Sequence, residues 1–139
     1  MGKWLTAARF EDVGEIAGDG KWAKLLEPLR YHDDSGRIHE VPAGFRTDFA
    51  SIPRVLWSLV GGPAEGKYRR AAVLHDYLYA LAGSTGITRA ECDRLFHEVM
   101  LASGVGRVTA WTLYAGVRAG GWVTWAQYEK KYSQNKNFV

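Results

Sequence analysis

Residues 67–83, KYRRAAVLHDYLYALAG, constrain the fold more than any other stretch of this chain. Ala71, His75 and Leu78 recur at the spacing of one helix face, so the stretch predicts a helix packed on a core. His75 and Asp76 are titratable residues inside this otherwise apolar, alanine-rich run. They form either a structural polar network or the working part of a site.

The rest of the second half of the sequence is also helical in pattern. A short helix is predicted over residues 54–60, where a proline precedes it and two glycines follow. The sequence TRAE, residues 88–91, is a capping box that predicts a helix running to about Ser103. A last helix is expected to start near Thr109 and to fray at Gly120-Gly121.

The first half has the chemistry of strands. Residues 21–32 and 37–51 flank the turn sequence DDSG, which predicts an antiparallel hairpin with a further strand around residues 45–49. The opening segment, residues 3–13, is a candidate for another strand. The predicted fold class is α+β, with a small antiparallel sheet in the N-terminal half packed on three to four C-terminal helices.

Length and composition favour one globular domain over residues 1–139, with a polar, lysine-rich tail at residues 128–139. The single cysteine, Cys92, excludes an intramolecular disulfide and fits a reducing compartment. A net charge of +3 is too small for the footprint of a protein specific for nucleic acid. The most apolar stretch, residues 108–128, carries Arg118 near its middle, so no membrane span is predicted.

Asp93 lies one turn into the helix that follows the His-Asp helix. If the two helices pack antiparallel, its carboxylate can hold one nitrogen of His75 and leave the other free to take a proton, as in a general-base dyad. The Tyr79 hydroxyl is placed to brace His75 or Asp76. Each residue also has an ordinary interpretation: a core histidine, a solvated aspartate on the helix flank, and a carboxylate that favours a helix N-terminus.

A second concentration of polar residues is GFRTDFASIPR, residues 44–54, where strand gives way to helix. Asp48 is a further candidate carboxylate, and Thr47, Ser51 and Arg54 complete a motif beside a helix start that can bind anions. The alternative is a loop held by turn and cap hydrogen bonds. No G-x-S-x-G elbow surrounds Ser51, so nucleophile chemistry there has no motif support.

Aromatic residues suggest a binding surface near the tail. Trp122 and Trp125 lie next to the lysine-rich tail and are candidates for a patch that contacts a partner or, weakly, a membrane interface. Core packing accounts for most of the six tryptophans, which are Trp4, Trp22, Trp57, Trp111, Trp122 and Trp125.

Three motifs in order, VPAGFRTDFASIPR, YRRAAVLHDYLY and TRAECDRLF, resemble domain of unknown function 1353, a family found mostly in tailed phages and prophages. The resemblance covers about residues 24–121. It implies a phage or prophage origin, one compact domain, localisation in the cytoplasm of the infected host or in the virion, and virion proteins or a host target as partners. It implies no established activity. The family's characteristic positions fall on Thr47, Asp48, Ser51, Pro53, His75, Asp76, Tyr79 and Asp93.

The segment HDYLY…CDRLF is also similar to the paired helices of secreted phospholipases A2. That resemblance implies that His75 activates water, Asp93 orients it, Tyr79 braces the pair and Asp76 binds calcium or another divalent cation. The chain departs from that family because it lacks the disulfides and the glycine-rich calcium loop, although residues 60–66 are rich in glycine.

Three functions remain open from the sequence. The first is a small hydrolase of ester, lipid or cell-envelope bonds, with His75 as base oriented by Asp93 or Asp48. The second is a non-catalytic virion or assembly component in which the same residues form a structural network. The third is a host-directed binding protein that uses the Trp122 and Trp125 patch.

Overall fold

The protein is described from a computed structural model. The structure describes residues 2–5, 10–15, 21–47, 49, 51–59, 68–81, 84 and 86–135. Strands occupy the first half of the chain and helices the second, which confirms the predicted α+β class.

Among the residues that the structure describes, six short strands form two antiparallel sheets of three strands each. One sheet has the order β1-β4-β5 and the other the order β2-β3-β6. The predicted hairpin is the β4–β5 pair, in which Tyr31 lies opposite His39. The strands are β1 (Lys3–Trp4), β2 (Phe10–Glu15), β3 (Lys21–Leu25), β4 (Leu29–His32), β5 (Ile38–Val41) and β6 (Arg46–Thr47).

The β4–β5 hairpin turn is built by a carboxylate. One oxygen of Asp33 accepts hydrogen bonds from the amides of Ser35 and Arg37, each at 2.9 Å. Gly36 has φ of 92°, a left-handed conformation that glycine adopts without a Cβ clash. The local turn chemistry therefore fixes this hairpin, as the DDSG sequence predicts.

The described part of the second half contains one 3₁₀ helix and three α-helices: the 3₁₀ helix (Arg54–Leu59), α1 (Arg69–Ala80), α2 (Arg89–Ala102) and α3 (Arg107–Asn135). The predicted capping box is present at the start of α2. The Glu91 amide donates to the Thr88 hydroxyl at 3.1 Å, and the Thr88 amide donates to the Glu91 carboxylate. Within the described residues, no helix is long and apolar enough to cross a bilayer.

The prediction that the last helix frays at Gly120-Gly121 is wrong, because α3 continues to Asn135. Its glycines serve close packing. A β-carbon at Gly121 would lie 2.5 Å from the Tyr79 hydroxyl, and one at Gly116 would collide with the Leu56 side chain. Each glycine weakens a helix by about 1 kcal/mol relative to alanine, and the close approach of neighbouring elements offsets that cost.

Helix α1 lies at the centre of the molecule. It contacts α2 and α3 on one side and strands β5 and β6 on the other. Residues 71–76 are all buried, so α1 has no solvent-facing side over this stretch. The interpretation of Asp76 as a solvated flank residue is therefore wrong: it is only 2% exposed.

Candidate functional site

The candidate site lies where α1 meets α2 on one side and the loop after β6 on the other. His75 and Asp76 are adjacent on α1 and point about 100° apart. His75 therefore reaches toward α2, while Asp76 reaches toward Thr47 and Ser51, at and after the end of β6. Each of the two side chains joins α1 to a different neighbour.

Both ring nitrogens of His75 have buried partners. Nε2 lies 2.7 Å from Asp93 Oδ1, and Nδ1 lies 3.0 Å from the Ser51 hydroxyl. The predicted contact between His75 and Asp93 is therefore present. The rings of Tyr79 and Phe96 flank the imidazole, with centroids 4.3 and 4.6 Å from its own. The result is a hydroxyl–imidazole–carboxylate chain inside an apolar shell.

Asp93 is the hub of the network and is fully buried. One oxygen accepts from His75 and from the Tyr79 hydroxyl at 2.6 Å, and the other accepts from Arg118 at 2.8 Å and Arg89 at 3.3 Å. Burial raises the pKa of Asp93, but hydrogen bonds and charge from His75, followed by the bonds from Tyr79 and Arg118, outweigh burial and lower it. Asp93 is therefore held as a carboxylate.

Burial and the charge of Asp93 shift the pKa of the Tyr79 hydroxyl in the opposite direction, upward. Burial, together with the hydrogen bond to Asp93, raises the pKa of the Tyr79 hydroxyl well above its usual range. The hydroxyl therefore stays protonated and donates to the carboxylate. The sequence allows the Tyr79 hydroxyl to brace either His75 or Asp76. The hydroxyl forms a hydrogen bond with neither of them and donates to Asp93 instead.

Asp76 holds two residues at and after the end of β6, Thr47 and Ser51. One of its oxygens accepts from the Thr47 hydroxyl at 2.5 Å and the other from the Ser51 amide at 3.0 Å. The Thr47 hydroxyl in turn accepts from the amide of Phe49, which has φ of 61°. A bulky residue in this left-handed region costs roughly 1–3 kcal/mol, so the hydrogen bonds to Asp76 hold the loop in a strained shape.

Two arginines complete the site and were missed by the sequence analysis. Arg89 lies four residues before Asp93 on α2, a spacing that signals an ion pair on a helix. It also donates to the carbonyls of Val117 and Arg118 on α3. Arg118 is 25 residues from Asp93 in the chain, and no local pattern connects the two.

Six of the predicted site residues come together in this network: Thr47, Ser51, His75, Asp76, Tyr79 and Asp93. Asp48 lies outside the described residues, and of Arg54 the structure describes only its place at the start of the 3₁₀ helix. The two tryptophans of the predicted patch face different surroundings. Trp122 is 60% exposed, whereas Trp125 is partly buried and packs edge-on against Tyr79 at 5.2 Å.

The described donors do not suit a metal ion. Among these residues no three His, Cys, Asp or Glu side chains converge as ligands. The carboxylate of Asp76, the predicted cation ligand, accepts protein hydrogen bonds on both oxygens. No chemical step through a cation is therefore derived for this site.

A cavity of about 360 Å³ lies elsewhere, between the β4–β5 hairpin turn and the start of α2. Its lining includes a second His-Asp pair, His39 and Asp33, joined at 2.7 Å. Burial raises the pKa of Asp33, but hydrogen bonds from His39, Ser35 and Arg37 outweigh it and lower the value to about 2. None of the residues that line this cavity belongs to the His75 network.

The fold and site define an α+β chain built around a buried hydroxyl–imidazole–carboxylate network. The model of the family described as a protein of unknown function, DUF1353, matches residues 23–117. The chain belongs to that family, as the three sequence motifs predict.

Two relatives come from Sinorhizobium fredii (strain NBRC 101917 / NGR234). The chain is 37% identical over 98 residues to the uncharacterized protein y4jT and 36% identical over 107 residues to the uncharacterized protein y4iH. These alignments cover 70% and 77% of this chain, but only 28% and 44% of the relatives. The chain thus spans less than half the length of either relative. No solved structure matches it.

Proposed function

We propose that this chain is a non-catalytic structural protein, an assembly or virion component, in which the His75 network fixes the packing of the fold. One observation carries the proposal: the side chains that would do the chemistry are sealed from solvent, since Ser51 and Asp93 are fully buried and His75 is 1% exposed. A general base must bring a nucleophile or a substrate proton within hydrogen-bond reach. Among the described residues, both ring nitrogens of His75 face the buried side chains of Ser51 and Asp93, and this arrangement gives a substrate no access to the imidazole.

The connections of the network support the same proposal. Asp76 holds Thr47 and Ser51 against α1, and Asp93 joins α1, α2 and α3 through His75, Arg89 and Arg118. Buried polar groups that satisfy one another rigidify a single packing arrangement, because every alternative leaves a group unpaired.

A hydrolase is the second candidate, favoured by the order of groups along the network. Ser51, His75 and Asp93 follow one another as nucleophile, base and orienting carboxylate. In that reaction the Ser51 oxygen bonds to an ester carbonyl carbon and its proton passes to His75 Nδ1. The leaving alcohol takes the proton, and water then hydrolyses the acyl-serine.

The similarity to phospholipases A2 points in the same direction for part of the site. The role it implies for Asp93, to orient His75, agrees with the 2.7 Å contact between them. It also implies a water molecule at the other ring nitrogen, a position that the Ser51 hydroxyl takes here. Under the hydrolase proposal, Ser51 therefore replaces water as the attacking group.

One experiment separates the two candidates. The native chain is treated with a fluorophosphonate probe and assayed with nitrophenyl esters and phospholipid vesicles, beside Ser51→Ala and the matched surface control Ser58→Ala. A structural network gives no Ser51-dependent labelling or turnover, and Ser51→Ala lowers the free energy of unfolding by about 1 kcal/mol. Labelling that disappears in Ser51→Ala but persists in Ser58→Ala would establish the hydrolase and overturn the structural proposal.

We also propose a phage or prophage origin, with the chain in the virion or in the cytoplasm of the infected host. The motif resemblance supports this proposal. Mass spectrometry of purified particles and of the infected-cell lysate tests it, because a virion component is enriched in the particles.

A further inference from the structure

Helix α3 is about twice as long as α1 or α2. Its 29 residues extend roughly 43 Å, whereas α1 and α2 have only 12 and 14 residues. One face of α3 is buried in the core through Ala110, Leu113 and Val117. The neighbouring helices are too short to cover α3 along its whole length.

The opposite face of α3 is also apolar. At 100° per residue, six of the residues from 108 to 126 fall within an arc of about 80°, nearly opposite Val117. Val108, Trp111 and Trp122 are 81%, 61% and 60% exposed. The six residues, which we name the outer stripe, are Val108, Trp111, Ala115, Ala119, Trp122 and Ala126. Contiguous apolar surface of this kind marks an interaction site.

The small and large side chains of the outer stripe are arranged nearly symmetrically along α3 about the level of Val117. Ala115 and Ala119 lie two residues to either side, and Trp111 and Trp122 lie six and five residues away. A two-fold axis at Val117 would therefore set the small residues of two antiparallel helices against each other at the crossing. Trp111 of each copy would then lie beside Trp122 of the other, so the same patch of both copies meets itself, as a two-fold interface requires.

The charges at the ends of the stripe favour the same arrangement. Arg107 lies at its start, and the exposed Glu129 lies at its end. An antiparallel pair brings Arg107 of each copy close to Glu129 of the other, whereas a parallel pair brings like charges together. The exposed parts of Val108, Trp111 and Trp122 amount to on the order of 500 Å² per copy, close to the lower limit for a specific interface.

We propose that α3 pairs with α3 of a second copy of this chain, antiparallel, through the outer stripe. The pairing goes beyond the proposed function and is independent of how the buried His75 network is used. Trp122 belongs to this interface, while Trp125 stays inside each copy against Tyr79.

Sedimentation equilibrium of the full chain from 1 to 100 µM tests the proposal. The native chain is expected to be a dimer at the upper concentrations, and Trp122→Glu to raise the dissociation constant at least tenfold. Val55→Glu is the matched control, because Val55 is 79% exposed on the 3₁₀ helix and outside the stripe. A native chain that remains a monomer at 100 µM, or equal weakening by both variants, overturns the proposal.

Disulfide trapping tests the orientation of the pair. The double variant Ala115→Cys/Ala119→Cys is expected to form a covalent dimer on oxidation, whereas Ala126→Cys alone is not, because its two copies lie far apart in an antiparallel pair. Burial raises the pKa of the Cys92 thiol to about 12, so the native cysteine does not compete. Dimers trapped only by Ala126→Cys would overturn the antiparallel geometry. Flotation of a monomeric native chain with vesicles of 3:1 phosphatidylcholine and phosphatidylglycerol would assign the stripe to a lipid surface instead.

Discussion

Replacing Asp93 by alanine is the sharpest test of the buried network. The change removes the acceptor of four hydrogen bonds, two of which come from the fully buried groups of His75 and Tyr79. Each buried donor left without a partner costs about 1–3 kcal/mol. Arg118 and Arg89 are partly exposed, so water replaces much of what they lose. We expect Asp93→Ala to lower the free energy of unfolding by about 3–5 kcal/mol.

The loss is measured by urea unfolding followed by circular dichroism, and it corresponds to a fall in Tm of roughly 10–20 °C. Glu40→Ala is the matched control, because Glu40 forms an exposed ion pair with Arg30 and contributes at most about 1 kcal/mol. The pKa of Asp93 is lowered from 3.8, so its contribution is present above pH 4 and is lost as the pH falls through the lower folded value. A loss below 1 kcal/mol at pH 7 would refute the claim that Asp93 holds the helices together.

Three further perturbations test other parts of the structure. The pKa of Asp33 falls from 3.8 to about 2 on folding, so Asp33→Asn should cost roughly 1–2 kcal/mol at pH 6 and almost nothing at pH 2, as measured by unfolding at both pH values. Gly121→Ala should lower stability by about 1–3 kcal/mol because its methyl group meets the Tyr79 hydroxyl, whereas Gly106→Ala, with open space around it, should not; equal Tm values would contradict this packing. Native Cys92 should resist dithionitrobenzoate at pH 8 and react only after unfolding, and rapid reaction of the folded chain would show that the thiol is accessible.

Local chemistry made much of the fold predictable. The capping box of Thr88 and Glu91 acts within one helical turn, so its sequence identifies the start of α2 without knowledge of the rest of the molecule. The contact between His75 and Asp93 was also predictable, because two helices joined by a short connection pack against each other.

The predictions that were wrong or missing concern contacts between segments that are far apart in the sequence. Asp76 is buried against Thr47 and Ser51, which lie more than 20 residues earlier, and no spacing within α1 signals that contact. Gly121 has a helix-breaking sequence signal, and its packing role depends on Tyr79 more than 40 residues away. The role of Arg118 depends in the same way on how α3 is placed beside α2.

The convergence of three helices on one carboxylate has a consequence for local unfolding. Local unfolding that detaches α1, α2 or α3 from Asp93 leaves a charge or a donor without its partner. The free energy of unfolding any one of these helices alone is therefore high. Backbone amides around His75, Asp93 and Val117 should therefore exchange their hydrogens at one common, slow rate set by global unfolding. Tyr128 still packs on the core, so amides of α3 beyond Tyr128 should exchange faster and the protected unit should end within the helix.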